Sequence, residues 1–582
     1  MPIPARSVSR YRPSACLGML GALLALSPPP LPAQSAARDS ANVHDEARQA
    51  QASFELRRRS MLPTGKGNGG KCDENFGGFC YWYEGHDAPL PEEPPAVNAA
   101  RRDLLERLAE YAERLPGDDW IAGQRVRYLV EAGDPEEATR VAEACRTPSW
   151  WCEALRGLAH HAAGRYAASA AFYDRAYRRM TPAGRCIWED FSPLYRRGEN
   201  SRYLNMDCTR RRAMNRQFLW LADPFLGDTV NDLETEIRSR QVMNRLLENA
   251  ATTYGAPFSH GEGDMIIRYG WSIRFTKTGS GNRMQVQGYE PRPAYTVAPE
   301  EWWWEPNGPP PPLGPFWDLD AGRPHLRYAP TWIHRMVTPK ETQAALFERG
   351  DSTLVAAVYP SPGPPWFGPG SLAVLALARD PDTAPIVHRA PLRKGIARLI
   401  GAAPWRPLLV DVAVRDSLAD ALARDRYLVE PLRDKMGKLA FGMSDILFLE
   451  ADTLPTRLEA AVDVALTTTR VPVGANIGIF WEMYGFGAGP VTLALLVVEA
   501  GKPVDSHLGA IREMPEGKTP LRIDWTDNRE RWGDIEASSL GVNLSRLEKG
   551  RYQLVVEAKL SNGFTARTVR PFEIFEVKDQ KE

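Results

Sequence analysis

The sequence predicts a multidomain α plus β protein, with an N-terminal α-helical repeat domain followed by two β-sandwich domains. Three observations carry this reading. The chain has 582 residues, too many for one core, so three to five domains are expected. Residues 99–180 are rich in Ala, Leu, Arg and Glu, with apolar residues at helical spacing. From about Gln343 onward the apolar period becomes two, in runs bounded by Pro, Gly and Asp.

Residues 1–37 read as a secretory signal. Arg6, Arg10 and Arg12 precede the apolar run "ACLGMLGALLAL" from Ala15 to Leu26, and small residues then allow cleavage between Ala33 and Ala37. That run is shorter than the roughly 20 residues a membrane span needs. Cys16 opens the run instead of following it, so a lipid anchor is not expected. "VTLALLVV" at Val491–Val498 is too short to span and reads as a buried strand. The expected location is secreted or periplasmic.

Residues 38–98 are polar, and an irregular disulfide-containing segment is expected there. "GKGNGG" at 65–70 loosely matches a phosphate loop, but no apolar strand precedes it and no helix follows. With Cys16 removed, the remaining cysteines are Cys72, Cys80, Cys145, Cys152, Cys186 and Cys208. Sequential pairing is the simplest disulfide arrangement in an oxidising compartment. Zinc is the alternative, but no tight Cys-x-x-Cys pair occurs. No metal ligands and no cofactor are predicted.

The helical repeat domain is expected over 99–215. Gly133, Ala138 and Ala142 mark one unit, and Gly157, Gly164, Tyr166, Ser169, Tyr173 and Ala176 a second. These small and aromatic positions resemble tetratricopeptide repeats. The resemblance implies paired helices whose stacked face takes a protein partner. Cys145 and Cys152 would tie the two units together at the turn between them. His160 and His161 have Gly164 and Arg165 four residues on, so they read as packing groups and not as metal ligands.

Residues 216–335 read as a helix–strand region. A helix is expected from Asp232 to Ala251, with Leu233, Ile237, Val242, Leu246 and Leu247 near one face, and "DMIIRYGWSIRF" as a strand with a glycine break. "FLWLADP" at 218–224, Asn231, Glu234, Arg240 and "IIRYG" at 266–270 resemble the bacterial secreted GWxTD-domain family, although the naming motif is missing. The resemblance implies an architecture and no activity. His260, Glu262 and Asp264 in "HGEGD" have the chemistry for acid–base work or metal binding, but a polar loop between a helix and a strand is the preferred reading of the same letters. Asp318, Asp320 and Gly322 have partial calcium-loop spacing, with Ala329 where a bidentate Glu is required. In "EEWWWEPNGPPPPLGPFWDLD", Trp302, Trp303, Trp304 and Trp317 read as rings buried between domains, with a carbohydrate platform as the alternative.

The first sandwich is expected over 336–452, from "STLVAAVYP", "GSLAVLALARD", "RPLLVDVAVRD" and "MSDILFLEA", with "LADALARDRY" as one short helix. The second is expected over 453–582. There Tyr552, Leu554, Val556, Ala558 and Leu560 alternate onto one face, and Asn562-Gly563 supplies a φ > 0 pair for a tight hairpin. "LEKGRYQLVVEA" resembles the tyrosine-corner strand of fibronectin-III and immunoglobulin-like sandwiches.

A net charge of −1 shows no basic excess, so a nucleic-acid role is not expected. There is no nucleophile-elbow glycine pattern, no His-Glu-x-x-His and no Walker lysine loop. The reading is an exported, non-catalytic protein-binding or scaffold protein of the bacterial envelope, with the helical repeats as its partner surface. Carbohydrate binding through the tryptophans, or a hydrolase with a dispersed site, are the alternatives.

Overall fold

The structure is a computed structural model that describes residues 31–65, 74–76, 79–81, 90–147, 149–194, 203–279, 284–289, 335–337, 342–404, 408–429, 441–452, 454–500, 514–528 and 532–576. Helices fill the N-terminal part and antiparallel sheets the C-terminal part. None of the described helices is long and apolar enough to cross a membrane.

The first element corrects the sequence reading. Residues 38–61, expected to be irregular, lie in a 31-residue helix, α1 (Leu31–Met61). Its buried face carries Val43, Ala47, Ala50 and Phe54 at helical spacing, together with buried Gln51, Glu55 and Arg58. The stripe is thin and partly charged, so its composition resembles that of a solvated segment. A short hairpin follows, β1 (Glu74–Phe76) with β2 (Phe79–Tyr81), which places Asn75 opposite Cys80.

Helices α2 (Pro95–Arg114), α3 (Asp119–Ala132), α4 (Pro135–Glu143), α5 (Trp150–Ala162) and α6 (Tyr166–Arg179) succeed one another through short turns. Their ends have explicit stop and start chemistry. Asp118 accepts from the Ile121 amide at 2.9 Å, and Asp134 caps α4 immediately before Pro135. Gly133 ends α3 at φ 75°, in the left-handed region where a side chain is strained. Gly157 on α5 lies under the Tyr173 ring of α6, so close that a Cβ there would overlap the ring. Cys145 and Cys152 are disulfide-bonded, Cα atoms 5.6 Å apart, across the turn from α4 to α5.

Next come α7 (Pro182–Trp188), α8 (Cys208–Leu221), α9 (Asp232–Glu248) and α10 (His260–Tyr269). A second disulfide, Cys186–Cys208, joins α7 to the first residue of α8. The segment read as one glycine-broken strand is instead α10, a stop at Gly270 (φ 93°), and then β3 (Arg274–Thr278) paired with β4 (Gln285–Tyr289). Ser259 caps α10 by accepting from the Glu262 amide, so the "HGEGD" letters are a first helical turn and not a loop.

The β region begins with β5 (Arg335–Val337), β6 (Gln343–Arg349), β7 (Ser352–Pro360), β8 (Leu372–Ala378), β9 (Ile386–Pro391), β10 (Ile396–Pro404), β11 (Leu408–Asp416) and β12 (Ala421–Val429). A 3-stranded sheet, β10-β7-β6, packs on a 5-stranded sheet, β5-β12-β11-β8-β9, through Leu346, Val355, Leu375, Val410 and Val412. Strand β12 is the segment expected to be a helix. Its Ala, Leu and Arg residues favour a helix locally, but pairing to β11 on one side and β5 on the other decides the outcome.

The remaining elements are β13 (Gly442–Met443), β14 (Leu447–Leu449), α11 (Leu458–Asp463), β15 (Arg470–Pro472), β16 (Asn476–Tyr484), β17 (Val491–Glu499), β18 (Leu521–Asp527), β19 (Ile535–Asn543), β20 (Gly550–Leu560) and β21 (Thr565–Phe575). Strands β13, β14 and β19 flank β16 in one sheet, and β15-β21-β20-β17-β18 form the other. Trp481, Ile479, Leu495 and Leu554 lie in the core between them. The run "MSDILFLEA" pairs with β16, Leu447 opposite Phe480, so it joins this sheet and not the preceding sandwich. The other faces of β6 and β7, with Ala345, Phe347, Ala356 and Val358, pack on Leu447, Leu449, Phe480 and α11. The sandwiches are therefore stacked through a shared apolar layer.

The last hairpin differs from the expected turn. Only Gly563 has positive φ (89°), and Leu560 and Phe564 close a wider loop through Leu560 N–H donating to the Phe564 carbonyl. Asn562 instead accepts from the Phe564 amide through its side chain. The Tyr552 hydroxyl donates to the Glu548 carbonyl at 2.9 Å, the backward bond of a tyrosine corner.

Candidate functional site

One face of the layer formed by α3, α5 and α6 is covered from within the chain. Helix α9 lies on it, and Val242, Met243 and Leu246 share a core with Leu155, Leu158 and Ala159. Polar bonds fix the contact. The Tyr173 and Ser239 hydroxyls are 2.7 Å apart, Gln124 donates to the Leu246 carbonyl, and Trp120 donates to the Asn249 carbonyl. His161 is buried between Thr235 (2.9 Å) and Glu236 (2.8 Å), a packing role. Burial alone would raise the Glu236 carboxyl, but Arg240 and His161 outweigh it and hold it at about 2.

The open chemistry lies where the helical part meets the first sandwich. Leu221, Phe225 and Leu226 lie on the outer face of the 5-stranded sheet, against Val374, Ala376, Leu409, Ala413 and Leu422. Within that apolar contact sit buried Asp411, Arg424 and Arg426. Arg424 donates to the carbonyls of Asp223 (3.0 Å) and Pro224 (2.7 Å). Arg426 donates to the carbonyls of Leu221 and Asp223 and, at 3.1 Å, to the carboxylate of Asp411, its partner across the strand pair. The Leu226 amide donates to the same Asp411 carboxylate at 3.2 Å. The end of α8 and the loop after it are thereby sewn to β11 and β12 by charge-assisted bonds. Burial, with Arg426 alongside, lowers Arg424 to about 9. Burial pushes Asp223 up to about 7 against the pull of Arg426.

Two clefts flank the loop that leaves this seam. One, of about 510 Å³, is lined by Arg165 and Tyr166 at the start of α6 and by Asp228, Asp232 and Arg389. The other, of about 220 Å³, is lined by Arg216, half-buried Trp220, Asp223, Glu234 and Asp382. Asp228 borders both; burial raises its carboxyl against the pull of Arg415 and Arg389. Arg389 donates to the Gly227 carbonyl at 2.6 Å, and Arg216 pairs with Asp382. Thr229 stands exposed between the clefts. Such walls offer both charge signs, backbone groups and two aromatic rings, which suits recognition of a polypeptide surface.

The residues singled out in the sequence fall elsewhere. Cys145, Cys152, Cys186 and Cys208 are in the two disulfides described. Asp119 has a carboxylate oxygen near the first pair, the one cluster with metal-ligand atoms among the described residues, but its sulfurs are bonded to each other. Cys72, the Cys80 side chain, Trp302, Trp303, Trp304, Trp317, and Asp318 with Asp320 lie outside the described residues. His260 and Asp264 are exposed while Glu262 is buried, so the three do not converge. Sequence reasoning missed Asp411, Arg424 and Arg426. The available signal was a charged residue alternating with the core-facing positions of otherwise apolar strands.

No family model matches the chain, and no curated protein matches it. Among solved structures, the PmoD soluble domain from Methylocystis sp. ATCC 49242 (Rockwell) is 14% identical, covering 22% of this chain and 89% of that one, with a TM-score of 0.15. A tetra-tandem repeat in the extending region of a large adhesion protein is 13% identical, covering 40% of this chain and 50% of that one, with a TM-score of 0.12. Scores this low assign neither a fold nor a function.

Proposed function

We propose that this chain is an exported, non-catalytic binding protein of the bacterial envelope, and that its partner is another protein. The observation that carries the reading is the seam. Buried arginine–carbonyl bonds lock the helical part to the first sandwich, and the two clefts beside that junction keep charged groups at their mouths. Rigid walls lower the ordering cost of binding, so a partner docking there loses little on association.

The helix pairs α3–α4 and α5–α6 are read as tetratricopeptide-like, supported by the contact of Gly157 with Tyr173. With α9 on their inner face, their contribution to binding is the first turn of α6. The disulfides favour an oxidising compartment.

The test is a photo-crosslinking residue placed at Thr229 in intact cells, with the same residue at exposed Val473 on the second sandwich as control. The expected result is a discrete heavier adduct from Thr229 alone, weakened by Arg389→Glu. No adduct from Thr229, or the same adducts from both positions, contradicts the reading.

A further inference from the structure

Beneath α10 lies a small void, separate from the seam, whose mostly apolar wall carries a few polar groups. Arg127 and Glu131 of α3, Leu247 of α9, Thr252, Glu262 and Trp271 line it. Thr252 (6% exposed), Glu262 (2%) and Trp271 (8%) are all buried. Thr252 Oγ1, Glu262 Oε2 and Trp271 Nε1 have no hydrogen-bond partner among the described groups. Unpaired atoms of this kind are costly in a folded core. They are also chemically complementary, since the indole N–H only donates, the carboxylate only accepts and the hydroxyl does either. The void leaves about 20 Å³ for the centre of a water-sized molecule, room for a single one.

We propose that this void is a water-binding, proton-uptake site, in which one water accepts from Trp271 Nε1–H and donates to Thr252 Oγ1 and Glu262 Oε2, and Glu262 takes a proton from bulk solvent as pH falls. The carboxylate becomes a carboxylic acid, the proton returns to solvent on reversal, and no other bond changes.

The surroundings give Glu262 no counter-ion of its own. From α3, Arg127 is already engaged with Glu131 (2.9 Å), Glu55 (3.0 Å) and Gln124 (3.2 Å), and Glu131 adds a like charge. From α1, Glu55 and Arg58 stand behind that pair and are bonded into it, Arg58 to Glu131 at 2.8 Å. The turn after α9 contributes the Tyr254 hydroxyl, α9 contributes uncharged Leu247, and β3 contributes the Phe275 ring. On its own helix, His260 and Asp264 point to solvent. Burial accordingly pushes the Glu262 carboxyl up to about 7, against the pull of Arg127. An unfolded glutamate titrates near 4.5, so the folded state holds the proton more tightly. The contribution of Glu262 to docking α10 is complete below about 4.5 and is lost as pH rises to about 7.

Hydrogen exchange of the Met265–Tyr269 amides in the full, disulfide-bonded chain tests this, corrected for intrinsic exchange. Wild-type protection is expected to fall roughly tenfold or more between pH 5 and pH 8. Glu262→Gln keeps the shape and is expected to abolish that dependence. Wild-type protection unchanged with pH, or the same dependence surviving in Glu262→Gln, overturns the proposal. Asp223 titrates in the same range, but at the seam, so its effect falls on other amides. If Glu262→Gln does not fold, the wild-type profile and a crystal structure at pH 5 decide. Density for a water within about 3 Å of the three atoms is expected, and a void closed by side-chain movement contradicts it.

Discussion

At the scale of single residues, the helical part is organised by charges that are not solvated. Glu55 accepts from Tyr128 (2.6 Å), Thr253 (2.8 Å) and Arg127 (3.0 Å), and thereby ties α1 to α3 and to the turn after α9. Removing one member of such a cluster strands the others in low dielectric. Glu55→Ala is expected to cost about 3–5 kcal/mol in urea unfolding, with Glu55→Gln costing less because it keeps an acceptor for Tyr128. Burial alone would raise Glu131, yet Arg127 and Arg58 hold it down at about 2. Its contribution is present above the ordinary glutamate value of 4.5 and is lost as pH falls toward 2, so acid unfolding is expected to open the α1–α3 contact. None of this was legible in the sequence. Glu55 and Arg58 sit in a polar stretch, and periodicity alone does not say which charges find partners.

At the scale of elements, legibility follows how local the cause is. Helices α3 to α6 could be read because glycine, alanine and tyrosine recur at positions where two helices touch. Gly157→Ala places a methyl group against the Tyr173 ring, and is expected to lower stability by about 1–3 kcal/mol. Gly133→Ala acts through backbone strain instead, so the two losses should add in thermal unfolding, since their causes are separate. The strand runs from Ser352 onward were readable for the same local reason, alternation. Strand β12 was not, because its conformation is set by neighbours on both sides while its own residues favour a helix. The turn at Asn562-Gly563 was placed correctly but with the wrong geometry: one residue, not two, takes positive φ.

At the scale of the whole molecule, the order of helices before sandwiches was visible in composition and period, but the way the parts join was not. The seam depends on residues about 200 positions apart, as in the bonds from Arg424 and Arg426 to the turn after α8. Sequence shows each half of such a contact in isolation. Asp411 inside "LLVDVAVRD" and the arginines inside "ARDRY" were its trace, since a charge set in an otherwise apolar strand needs a partner from another layer once that face is covered. The measurement that tests the joined architecture most directly is native-state hydrogen exchange at Leu226. Its amide donates to Asp411 across the seam. The account predicts that it exchanges as slowly as the β11 amides and speeds up with them in Asp411→Asn. Exchange at the rate of an ordinary surface loop, with β11 still protected, would show that the helical part and the first sandwich are not one body.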